Sequence, residues 1–287
     1  FSLYTAITLL SLGTGQYLLL LGDIGGYDLF AIITILVSLS LLPIVLTRVS
    51  QPSSVETPNL SLGHLISISP LGVVTTFIAG IVSGAFWGMG PVFGEHISVD
   101  SDQVAVFMSA VIFGGALLQW PIGRISDWID RRLVLFVTCL LAGSFSLSSY
   151  FAMTLSQQWL YISMFLFGGT AFTIYALGVA HVNDLLSSEE VLEATRGLLL
   201  VYGLGATIGP MLAAQFMQWF GYEHLLGFFA VNLLTLSLYT LYWLIVGRGV
   251  APEDQARFVP LVRTSTEALS LSPELSEEGP EESVERN

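Results

Sequence analysis

Residues 121–132 read PIGRISDWIDRR, a segment with three arginines and two aspartates in twelve positions, and an apolar run of roughly 20 residues lies on either side. The chain around it has little charge to spare. Its 287 residues are 53% hydrophobic and 11% charged, against about 25% in an ordinary soluble domain, and its mean hydropathy is +0.75. Apolar stretches long enough to cross a ~30 Å hydrocarbon layer as helices recur throughout. An all-α integral membrane protein is therefore expected, with PIGRISDWIDRR as one of its short loops.

Eight spans are predicted, at about 3–21, 27–47, 71–94, 103–123, 132–154, 159–182, 197–219 and 225–247. The polar stretch 48–70, with Pro52, Pro58 and Pro70, divides the first two from the last six. Residues 248–287 are rich in Pro, Ser and Glu and hold nine of the 22 acids in their last 36 positions. They read as an acidic, disordered tail, which carries part of the chain's net charge of −13. The chain has no lysine, so arginine alone reports sidedness. Arg48, Arg124, Arg131, Arg132, Arg196, Arg248, Arg257, Arg263 and Arg286 all fall in alternate loops of this span count, and the intervening loops hold none. The positive-inside rule makes their side cytoplasmic, with the C-terminus inside. On that assignment the sequon at Asn59 faces inward, where it is not a glycosylation site. The chain starts at Phe1 with a span almost at once, so an N-terminally incomplete protein is expected. The single cysteine, Cys139, permits no disulfide within the chain.

A tight loop needs anchoring arginines; it has no need of the aspartates or of Gly123. Gly123, Asp127, Arg131 and Arg132 together resemble the G-x-x-x-D-x-x-x-R-[RK] loop between the second and third helices of each half of a major facilitator superfamily transporter. The resemblance implies a conformational latch: the glycine admits a close neighbour, the aspartate faces a helix N-terminus, and the arginines pair with it. Asp130 departs from the pattern, which has glycine there, and is free to compete for Arg131 or Arg132. LLQWPIGRISD, IAGIVSGAFWGMGPVF, FTIYALGVA and LLLVYGLGATIGP are similar to the YcaD-like branch of that superfamily. The implied fold is its helical bundle, with the fifth to twelfth of twelve helices present. The division is then 1–47 as the last two helices of an N-terminal bundle, 48–70 as the central cytoplasmic connector, 71–247 as a six-helix C-terminal bundle and 248–287 as the tail. The implied protein is a monomeric multi-pass transporter of the bacterial cytoplasmic (inner) membrane. Its partners are lipid, a small-molecule substrate and, as candidate coupling ion, a proton.

Other residues also bear on function. GLGATIGP, at 203–210, lies inside an apolar span and is read as helix packing or a hinge, since a dinucleotide loop follows a strand. Trp87 and Tyr175, in glycine-rich spans, and Gln16 are candidate cavity-lining residues; Gln119 is a buried amide that needs a partner. No ionisable side chain falls near the middle of a span. Glu95 at the outer end of the third span is the candidate coupling carboxylate. Its neighbour His96, the pair His181 and Asp184, and the pair Glu223 and His224 are read as solvated groups at span ends. No catalytic motif and no set of metal ligands stands out, so no enzyme, cofactor, metal or nucleic-acid role is expected. The alternative function is a non-transporting scaffold or sensor that binds a partner through its acidic tail.

Overall fold

The structure, a computed structural model, describes residues 2–22, 26–46, 62–97, 101–247, 255 and 258. The regular elements among them are all helices. α1 (Ser2–Gly15) runs on into a 3-10 turn at Gln16–Leu21 and is followed by α2 (Asp28–Leu46) and the short α3 (Leu62–Ile68). Then come α4 (Pro70–Ile97), α5 (Ser101–Ser126), α6 (Arg131–Leu155), α7 (Gln157–Ala171), α8 (Thr173–Asn183), α9 (Ser188–Phe220) and α10 (Leu225–Val246). With α7 and α8 taken as one broken span, six helices are long and apolar enough to cross a membrane. The segments Ile7–Leu21 and Asp28–Pro43 are shorter apolar helices. Of the connector expected at 48–70, only 62–70 is described, and it is helical where a loop was expected. The tail assignment falls, Gln255 and Phe258 apart, outside the described residues.

Packing proceeds in pairs. α4 lies along α9, α5 along α7, and α6 along both α10 and α7, while α1 rests on α5. Lipid gives helices no hydrophobic reason to associate, so close backbone approach and interhelical hydrogen bonds must do it. Both are present. A Cβ on Gly84 would strike the Ala206 carbonyl, and one on Gly209 the Ile81 carbonyl, so only glycine lets α4 and α9 meet this closely. The Ser146 hydroxyl donates to the Leu226 carbonyl at 2.8 Å, fixing α6 to α10. The Ser149 hydroxyl donates to Ser163 Oγ at 2.8 Å, fixing α6 to α7. Ser109 donates to the Gly13 carbonyl at 3.1 Å and ties α1 to α5. α2 behaves differently: Phe30, Ile33, Ile35, Leu36, Leu39 and Leu42 are all exposed, a surface suited to hydrocarbon or to further helices.

Two boundaries differ from expectation for physical reasons. α9 starts at Ser188, nine residues before the predicted 197, because Ser187 and Glu190 form a capping box that satisfies the first free amides. Arg196 consequently lies on the helix, paired with Glu193 at 3.3 Å, and not in a loop. The span predicted at 159–182 is interrupted at Phe172, where α7 ends and α8 begins.

Candidate functional site

The charged loop is built from three helix ends. α5 finishes with Ser126, whose hydroxyl donates to the Gly123 carbonyl at 2.6 Å, and the chain turns so that Asp127 and Trp128 amides still reach back into the helix. Asp130 then caps α6: its Oδ1 accepts from the Arg132 amide at 2.9 Å. This one-turn junction puts Asp127 and Arg131 four residues apart and within 3.2 Å of each other.

Arg131 is the centre of the site. Its side chain is 1% exposed. It donates to Asp127 Oδ1, to Asp184 Oδ1 at 2.6 Å and to the Ala180 carbonyl at 3.0 Å. Asp184 is as deeply buried as the arginine. One guanidinium therefore joins the end of α5, the start of α6 and the end of α8, using the planar fork that lysine lacks. Asp184 is a correction to the sequence reading, which placed it among solvated groups. The partner lies 53 positions away, and no local spacing announces it. His181, also read as solvated, is buried one turn earlier on α8.

Arg132 does a separate job. It pairs with Asp130 at 2.8 Å, and its Nη1 donates to the Trp243 and Gly247 carbonyls at 3.2 and 2.8 Å. It thus fastens the C-terminal end of α10, where free carbonyls favour a cation. Asp130 holds Arg132, and Arg131 goes to Asp127 and Asp184. Burial acts to raise the Asp130 carboxyl, but the bonds from Arg132 outweigh it and hold the group below its ordinary value. The stabilisation from this pair is therefore present above the usual carboxylate range and is lost as pH falls through the lowered value.

A second cluster lies near the middle of the bundle. Trp87 of α4 stacks on Phe172 with centroids 6.2 Å apart and planes 12° from parallel, and Phe86 meets both rings edge-on. Trp87 is exposed, whereas Phe86 is fully buried. Phe172 sits at the α7–α8 junction with helical backbone angles, and its amide is still bonded to the Gly168 carbonyl at 3.1 Å. The sequence reading took Tyr175 from this region and passed over Phe172. Tyr175 is buried against Tyr202 of α9, with centroids 4.7 Å apart. Gln16 stands in the 3-10 turn after α1 with its amide on the Leu12 carbonyl at 3.4 Å, and Gln119 is buried in α5.

At the other end of the bundle Glu95 is exposed on the last turn of α4, and the neighbouring His96 ring stacks on Tyr222 at 3.6 Å. Glu223 is exposed beside them. Among the described residues no group of three His, Cys, Asp or Glu side chains is placed to hold a metal ion.

The family model of the Major Facilitator Superfamily matches residues 72–274. Similar proteins include an uncharacterized MFS-type transporter YcaD of Escherichia fergusonii. It is 28% identical over 190 residues, which cover 65% of this chain and 48% of that one. The protein of the same name in Escherichia coli O17:K52:H18 is 29% identical over 220 residues, 75% of this chain and 55% of its own. The chain spans about half the length of the curated relatives it matches. No solved structure gives a significant match.

Proposed function

Because this chain belongs to the major facilitator superfamily, in its YcaD-like branch, we propose that it forms part of a secondary active transporter that moves a small solute by alternating access. The observation that carries this reading is the buried Arg131 fork, which binds three helix ends at a one-turn loop and leaves Asp127 partly accessible beside them. Such a group can hold one arrangement of two bundles and release it when Asp127 changes partner. Gly123, Asp127, Arg131 and Arg132 are the latch, and Asp184 is its fixed anchor. The six helices from Pro70 to Val246 are the C-terminal bundle, residues 1–47 the last two helices of the N-terminal one, and 48–70 the connector between them. The protein is a multi-pass resident of a bacterial inner membrane, with the loop and the C-terminus on the cytoplasmic side.

The Trp87–Phe172 stack is this half's contribution to the solute site, with Tyr175 behind it and Gln16 on the opposing bundle. Rings, not charges, face the solute here, which suits a molecule with a flat apolar part. Proton coupling, if it resides in this half, falls to Glu95, the carboxylate at the outer mouth.

A thermal-shift screen of such solutes against the complete protein tests the proposal, since a ligand that binds the native state raises its melting temperature. Counterflow of a hit in proteoliposomes then gives the rate. Asp127→Asn keeps an acceptor oxygen for Arg131 and is expected to fold, and to slow counterflow about tenfold, as for a barrier raised by about 1.4 kcal/mol. A variant that moves the solute at the parental rate removes the latch assignment.

A further inference from the structure

Gly123 and Asp127 form a notch on the end of α5, and a part of the chain 131 positions away from Asp127 fills it. The Phe258 amide donates to Asp127 Oδ1 at 2.7 Å. Its ring covers Gly123, where a Cβ would collide with the ring carbons, and packs against the bundle's apolar core. Two independent contacts thus place the same residue, one polar and one steric.

The chemistry of the polar contact matters. The latch resemblance has its aspartate facing backbone N–H groups at the N-terminus of a neighbouring helix. The Phe258 amide is a donor of that same kind, and it occupies the acceptor oxygen that Arg131 Nη2 also uses. A further N–H group approaching from the opposing bundle would compete with it. Phe258 opens the short apolar run FVPLV between Arg257 and Arg263, and burial of its ring offsets part of the entropy lost on docking.

We infer that the Gly123–Asp127 notch is a docking surface for the chain's own Phe258, and that this docking acts as a strap that keeps Asp127 from other donors. Release of the strap frees the latch. This deepens the proposed transport function, on which its regulatory meaning rests; the docking itself can be read without any solute.

Hydrogen exchange on the complete protein in lipid nanodiscs is the test. The peptide containing Phe258 should exchange about tenfold or more slowly than an unstructured chain, the protection expected of an amide bonded to a charged acceptor. Gly123→Ala should abolish that protection by displacing the ring. Phe258→Pro, which removes the donor and the ring from a residue outside the spanning helices, should speed exchange in residues 121–134 and covers the case in which the glycine variant fails to fold. Unprotected exchange at Phe258 in the parent overturns the docking. Protection that survives Gly123→Ala does so too, and a 121–134 segment indifferent to Phe258→Pro overturns the strap. If these exchange results hold while no solute is ever moved, the docking stands and the transport reading fails.

Discussion

Arg131→Ala is expected to cost about 3–5 kcal/mol, because it leaves Asp184 buried and charged with its principal cation gone. Asp127 and the Ala180 carbonyl lose the same donor. Arg131→Lys should recover only part of this, since a single ammonium cannot reach two carboxylates and a carbonyl as a planar fork does. The double variant Arg131→Met with Asp184→Leu removes both charges together and should regain most of the stability, as apolar replacements of buried pairs do. Thermal melts followed by size-exclusion chromatography measure all three. A single Arg131→Ala variant as stable as the parent would show that the fork is dispensable.

The second large effect separates glycines only a few positions apart. A Cβ at Gly205 would strike the Phe77 carbonyl, and one at Gly209 the Ile81 carbonyl, whereas nothing lies within 4 Å of a Cβ at Gly203. Backbone cannot turn aside as a flexible side chain can. Gly205→Ala and Gly209→Ala should therefore push α9 off α4 and cost about 1–3 kcal/mol each. Gly203→Ala should be neutral or stabilise the helix by about 0.5–1 kcal/mol, through the lower entropy of the unfolded chain. Melting temperatures of the three variants decide the matter. Equal losses at all three positions would mean that GLGATIGP acts through helix flexibility, not through contact.

Much of this architecture was legible in the sequence because hydrocarbon imposes a strict length and polarity on each span. The spacing of Gly123, Asp127 and Arg131 singled out the charged loop, and the α5–α6 junction does bring Asp127 and Arg131 together. GLGATIGP was read as a packing stripe, and Gly205 and Gly209 pack as such a stripe does. What escaped was whatever depends on tertiary approach. Asp184 looked like any acid at a span end, because its distance from Arg131 along the chain hides their pairing. Phe172 escaped because the break it occupies carries no proline. Phe258 escaped because a single aromatic residue beyond the last span gives no periodic signal. The early start of α9 is a different case: Ser187 and Glu190 were a readable capping box, but hydropathy drew the boundary where charge ceased.

Alternating access is the central claim, and Trp87 is where it can be observed. Cys139 is fully buried, so the complete protein carrying Trp87→Cys presents one reactive thiol from this chain. Membrane-impermeant thiol reagents applied separately to each side of oriented vesicles should both reach it. Asp127→Asn should shift the ratio of the two rates, since the latch biases which side is open. Labelling from one side alone, unchanged by Asp127→Asn, would contradict the account.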